Sequence, residues 1–137
     1  FSPYYDFILI DSPAGLHQGF VMGAQAAHRA LVVATPDPVC VRDAYITGRI
    51  LEEYGIEDRR LLINRLPAHF KGFDSLPDLD AVIDQTEIQL IGVIPEDMKL
   101  SQSLSRGECA SASGNGARAY ENVAARLLGE NCPLMIL

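Results

Sequence analysis

The residues best placed for chemistry lie in the run Phe7-Ile8-Leu9-Ile10-Asp11-Ser12-Pro13-Ala14-Gly15. Its four apolar residues read as a buried strand that delivers one carboxylate, Asp11, to the strand's C-terminal tip, and a Pro/Gly turn follows at once. A carboxylate there can order a magnesium ion, often through a bound water. Hard cations take oxygen ligands, and Mg²⁺ gives up its hydration shell reluctantly. Gly15 has no Cβ, so its backbone can approach a ligand phosphate closely. A structural reading stands beside this one, because aspartate commonly closes tight turns.

Other reactive residue types suggest less. Cys40, Cys109 and Cys132 are odd in number, widely spaced and free of any CxxC pair, which points to a reducing compartment and no disulfide framework. His17, His28 and His69 lack metal-ligand spacing and read as satisfied or exposed histidines. Lys plus Arg number 11 against 18 Asp plus Glu, a formal charge of −7 that repels phosphate backbones, and no Lys/Arg run offsets it. Nucleic acid is therefore not an expected direct partner. Hydrophobic residues make up 48 % of the 137 residues, enough for the core of one domain. No apolar run approaches the roughly 20 residues needed to span a bilayer. Phe1 rather than Met opens the sequence and Leu134-Met135-Ile136-Leu137 closes it, so both ends read as cut.

The elements that must position Asp11 can be read from periodicity. Residues 7–10, 30–34, 61–63 and 90–94 form continuous apolar runs, the pattern of strands covered on both faces. After Pro36-Asp37-Pro38, Val41, Ala44, Tyr45, Gly48 and Leu51 recur at helical steps, with Gly55 placed as the stop. A second helix is predicted over 115–128, ended by Gly129, and a shorter one near Ser75, capped by that hydroxyl with Asp78 three residues on. Residues 19–28 and 98–106 read as further helices, and 69–74 as the most mobile loop. Strands alternating with helices imply an α/β fold of three layers, a mostly parallel sheet with helices on both faces. Right-handed crossovers then align the strand C-termini along one edge, where such folds bind ligands.

Several motifs follow one another in a fixed order. After the Asp11-Ser12-Pro13-Ala14-Gly15 turn come Ala34-Thr35-Pro36-Asp37 with Val41-Arg42-Asp43, then Asn64-Arg65, then Gly92-Val93-Ile94-Pro95-Glu96-Asp97. Arg106-Gly107-Glu108 and Ala119-Tyr120-Glu121…Arg126-Leu127-Leu128-Gly129-Glu130 complete the succession. Together they resemble the ParA/MinD family of deviant-Walker P-loop ATPases over essentially the whole chain.

The resemblance implies roles at matching positions. Asp11 matches the Walker B-type aspartate that orders magnesium and its waters, and Ser12, Pro13 and Gly15 lie in the switch loop that senses the γ-phosphate. Asn64 matches an adenine-reading asparagine, whose amide can donate and accept together; its alternative is a strand-end turn residue. Arg65 either stacks on the base or is a solvated charge. Pro95, Glu96 and Asp97 fall where a loop backbone closes over the base. The implied cofactors are ATP or ADP with Mg²⁺. The implied biology is cell-division site selection, with ATP-dependent homodimerisation, MinC- and MinE-like regulators, and cycling onto the inner face of the cytoplasmic membrane.

Two positions depart from the family pattern. His17 stands where a glutamate is usual, and an imidazole cannot replace a carboxylate salt bridge. Tyr45 replaces the second carboxylate of the V-R-D-x-D-R segment, at a place where partner pairing is expected.

The phosphate grip is absent from these residues. No GxxxxGK[ST] or deviant lysine-bearing version occurs, and no lysine follows the glycines of Ala112-Ser113-Gly114-Asn115-Gly116, which read as a flexible helix entry. In the family the P-loop and first strands precede the position matched by Phe1, and a basic membrane helix follows that matched by Leu137. The resemblance thus implies that 1–137 is the C-terminal part of one ATPase domain without a separate linker. It implies an incomplete P-loop NTPase fold, poorly stable or aggregating alone and unable to hydrolyse ATP. Two alternatives remain at this point: a ParA-type partitioning or flagellar-number ATPase, and a non-enzymatic α/β module that uses Asp11 for a metal or phosphate.

Overall fold

In the computed structural model, which describes residues 4–13, 15–75, 78–108 and 114–134, three parallel strands lie side by side in chain order. They are β1 (Arg29–Ala34), β2 (Asp58–Leu66) and β3 (Gln89–Pro95), with Val32 opposite Leu61 and Leu61 opposite Leu90. Helix α1 (Gln18–Ala26) precedes β1, α2 (Pro38–Glu53) joins β1 to β2, and α3 (Leu79–Thr86) joins β2 to β3. Helices α4 (Met98–Ser105) and α5 (Asn115–Leu127) follow.

Consecutive residues of β2 explain the layering. Leu61, Leu62 and Ile63 are all buried although successive side chains point to opposite faces. Leu61 and Ile63 pack with Val41, Ala44 and Leu51 of α2 and Val82 of α3. On the opposite face, Leu62 meets Ile91 of β3 and Ala119 and Val123 of α5. Helices therefore cover both faces, as the continuous runs predict for β2 and β3.

Local chemistry sets the helix ends. Asp37 caps α2 by accepting the Cys40 N–H at 3.0 Å, and Pro38 opens the first turn, where its missing N–H costs nothing. For α3 the cap is Asp78, which accepts the Ala81 N–H at 2.8 Å, and not Ser75 as the sequence reading has it. Aspartate wins that position because its carboxylate is a stronger acceptor for the free N–H groups of the first turn. The loop expected to be mobile is anchored by aromatics: Phe70 packs on the core and meets Phe73 edge-on, ring centroids 6.3 Å apart.

The first apolar run departs from expectation. Residues 7–10 form no strand, and Phe7, Ile8, Leu9 and Ile10 are all exposed, Leu9 to 90 %. A strand needs a neighbour for its N–H and C=O groups, and among the described residues none lies alongside. Ile10 and Ser12 instead run over Gly23 of α1, and Pro13 over Gly19. β1 is likewise covered on one face only, with Val32 and Ala34 buried but Leu31 and Val33 exposed at 40 % and 54 %. In the sheet implied by the resemblance, one more strand separates residues 7–10 from β1, and that place is empty among the described residues.

The accessible surface, 9620 Å², exceeds the roughly 7,000 Å² usual for a folded chain of this mass. An open strand edge beside exposed apolar side chains is a template for pairing with another chain. The chain is therefore expected to self-associate at micromolar concentration, and Leu9→Lys with Val33→Lys to move it toward monomer. Sedimentation equilibrium decides this, and a parent that is monomeric at every concentration would refute it.

Candidate functional site

Most of the predicted site residues converge at the C-terminal ends of β2 and β3. The ladder pairs Ile63 with Val93 and then Leu66 with Pro95, so β2 spends one more residue than β3 over this stretch. That extra residue is a bulge at Asn64-Arg65. Arg65 adopts φ +55°, a left-handed backbone that costs a residue with a Cβ about 1 kcal/mol. The Asn64 side chain offsets part of this by accepting the Arg65 N–H on its Oδ1 at 3.0 Å. Just beyond, the Glu96 N–H donates to the Leu66 carbonyl at 2.8 Å, laying the Pro95-Glu96 backbone beside the tip of β2.

Asp97 closes this arrangement. It accepts the N–H groups of Lys99 and Leu100 at the start of α4, and that of Gly116 in α5. The Leu100 and Gly116 amides hold its carboxyl below the usual aspartate value, since these bonds favour the charged form. Gly114 and Gly116 read from the sequence as a flexible entry to α5. Gly116 is in fact buried against Asp97 and Leu100. The signal was available in the sequence, for glycine inside a first helical turn is costly unless something must approach closely.

Asp11, Ser12 and Pro13 form a separate exposed group on the segment that runs over α1. Gly15 takes φ +89°, and His17 follows as the N-terminal boundary of α1 with no side-chain capping bond. Ala14 lies outside the described residues. Tyr45, in the other departing segment, is half-buried on α2, where it follows the exposed Asp43 and the buried Ala44.

A third feature sits at the end of β1. The Thr35 hydroxyl donates to Asp37 Oδ2 at 2.5 Å. That bond, then the Cys40 N–H, lowers the Asp37 pKa below its ordinary value. A carboxylate with a depressed folded-state pKa adds stability above its unfolded pKa of about 3.9, and loses it as pH falls through the folded value. Asparagine also caps helices but does not titrate. Below about pH 4 the parent Tm should therefore fall faster than that of Asp37→Asn. Parallel acid profiles in thermal denaturation would refute this.

The donor sets can be tested against the implied ligands. Among the described residues no cluster of three or more His, Cys, Asp or Glu could hold a metal. Asp11 alone suits Mg²⁺ only in company with phosphates and water, which is how that ion usually binds beside nucleotides. Asn64 retains its NH₂ donors and a second lone pair on Oδ1, enough for the edge of an adenine.

No protein-family model matches the chain. The septum site-determining protein MinD of Bacillus subtilis (strain 168) is 35 % identical over 136 residues, covering 97 % of this chain and 51 % of that protein. A structure of the MinC:MinD cell division protein complex of Aquifex aeolicus matches with a TM-score of 0.89 and 31 % identity, over 98 % of this chain and 57 % of that one. The septum site-determining protein MinD of Pyrococcus horikoshii OT3, complexed with Mg-ADP, matches with a TM-score of 0.78 and 27 % identity, over 90 % of this chain and 51 % of that one. The chain spans about half the length of the curated relatives it matches. Over nearly all of its own length, in sequence and in fold, it is a homologue of the septum site-determining MinD proteins.

Proposed function

We propose that the chain supplies the base-reading and switch-bearing half of a MinD-like ATPase in cell-division site selection. The observation that carries this reading is the bulge at Asn64-Arg65 laid beside the Pro95-Glu96 backbone, in a chain homologous to MinD.

Asn64 reads the adenine edge, Arg65 stands over it from its left-handed backbone, and the loop of Pro95, Glu96 and Asp97 walls the base. Asp11 orders magnesium through water, while Ser12, Pro13 and Gly15 change order with the state of the γ-phosphate. ATP with Mg²⁺ supplies the transferable phosphoryl group and the charge neutralisation that its passage to water requires. The protein's share is positioning.

ATP-dependent homodimerisation and a MinC-like partner belong to the same proposal, the latter supported by the MinC:MinD complex among the matching structures. MinE-like regulation and peripheral attachment at the inner membrane face are its further parts. No helix among the described residues is long and apolar enough to cross a membrane. The charge of −7 weighs against the DNA-bound, ParA-type alternative.

The test is fluorescent ADP binding to the chain joined at Phe1 to a P-loop-bearing segment. Asn64→Ala should raise Kd about tenfold, the loss of roughly one good hydrogen-bonded edge. An unchanged Kd would remove Asn64 from the site.

A further inference from the structure

The two oxygens of Asp97 do different work. Oδ1 accepts the Lys99 N–H at 2.9 Å and the Leu100 N–H at 3.2 Å, an ordinary cap for α4. Oδ2 reaches 19 residues along the chain to accept the Gly116 N–H at 3.2 Å, which no helix cap requires. Glycine at position 116 lets this approach happen without displacing its neighbours. A Cβ there would stand 2.8 Å from Leu100 Cδ2 and 3.1 Å from Asp97 Cβ.

Helix α5, the far end of this contact, is itself seated firmly. Its Val123 packs into the space left by Gly92 of β3, and the Arg126 guanidinium donates to the Ile91 carbonyl. The residue before Asp97 is tied the other way, through the Glu96 N–H to Leu66 of β2. The loop after β3 is therefore stretched between the β2 tip and a helix anchored on β3.

We propose that Asp97 is a positioning residue: by clasping α4 to the first turn of α5 it holds the Pro95-Glu96 backbone at the height of Asn64, and its carboxylate does not itself touch the nucleotide. The proposal rests on the nucleotide-binding reading above and deepens it. With three N–H groups on its two oxygens, the carboxylate is already committed within the fold. Its influence on a bound base passes through the backbone that it fixes.

Asparagine separates the two roles. Its single acceptor oxygen can keep the α4 cap, but its NH₂ then faces the Gly116 N–H, donor against donor. Alanine loses both. The measurement is hydrogen–deuterium exchange of the dilute 137-residue chain, resolved to single amides, with and without millimolar adenosine. In Asp97→Asn, exchange at Lys99 and Leu100 should stay within about twofold of the parent, while Gly116 and Glu96 exchange about tenfold faster or more. Asp97→Ala should speed all four. Adenosine should slow exchange at Glu96 and Arg65 in the parent and markedly less in Asp97→Asn.

Unchanged Glu96 exchange in Asp97→Asn would overturn the clasp and leave only a helix cap. Adenosine protection equal in parent and Asp97→Asn, despite faster Glu96 exchange, would overturn the positioning role. If adenosine protects nothing in the parent, the nucleotide reading itself falls and the role of Asp97 with it. The ligand-free exchange pattern tells that failure apart from failure of the clasp.

Discussion

Joined at Phe1 to a P-loop-bearing segment, the chain is expected to hydrolyse ATP, and Asp11→Ala in that joined protein to lower kcat about 100-fold. The 137-residue chain alone is expected to release phosphate no faster than buffer. Two physical facts underlie the contrast. Triphosphate binding needs a cradle of backbone N–H groups and a lysine, and these residues contain no such run. Their lysines, Lys71 and Lys99, stand in the loop after β2 and in the first turn of α4. Asp11 is exposed on an unpaired segment, and among the described residues it belongs to no group of three or more His, Cys, Asp or Glu that could hold a metal, so a hard cation there needs phosphates and water as well. Given phosphates, one misplaced metal-ordering carboxylate typically costs 10- to 100-fold or more, the scale of lost electrostatic positioning. Phosphate release by the chain alone that vanishes in Asp11→Ala would contradict this account. So would full activity of the joined Asp11→Ala protein.

Gly92→Ala is expected to destabilise the fold by about 2–3 kcal/mol, at the upper end of what overpacking a core costs. The added Cβ would stand 2.5 Å from Val123 Cγ2, closer than any real contact, and both backbones are pinned. β3 is held by its ladder to β2, and α5 by Ala119 packing and by Arg126. Neither element can retreat without breaking other contacts. Val123→Ala removes the clashing methyl, so the double variant Gly92→Ala/Val123→Ala should be more stable than the sum of the single effects requires. Urea denaturation of all four proteins measures the coupling. Additive effects would show that α5 does not approach β3 through Gly92.

How legible this molecule is varies by element. Helix α2 could be read nearly to its ends, since Asp37-Pro38 and Gly55 are local signals and the buried Val41, Ala44, Gly48 and Leu51 recur at helical steps. β3 was nearly as readable, because its apolar run is almost unbroken, whereas of β2 only the buried centre 61–63 stood out and the charged and polar residues at 58–60 and 64–65 hid its full length. Residues 7–10 show the limit of that rule. Their composition is that of a buried strand, but strand formation is a property of a pair, and apolar composition does not supply the partner. β1 shows it by halves, with Leu31 and Val33 apolar yet exposed.

By itself, the amino-acid order determined the alternation of strand and helix from residue 29 onward, the ends of α2, and the residues from which the proposed nucleotide site is drawn. These are local matters of caps, periodicity and motif. Only the tertiary structure decided which of them meet. It set the one-residue bulge that throws Arg65 into a left-handed backbone, the bond from Glu96 to Leu66, and the reach of Asp97 to an amide on another helix. Such contacts join residues far apart in the chain, and their energies depend on distances that no local pattern encodes.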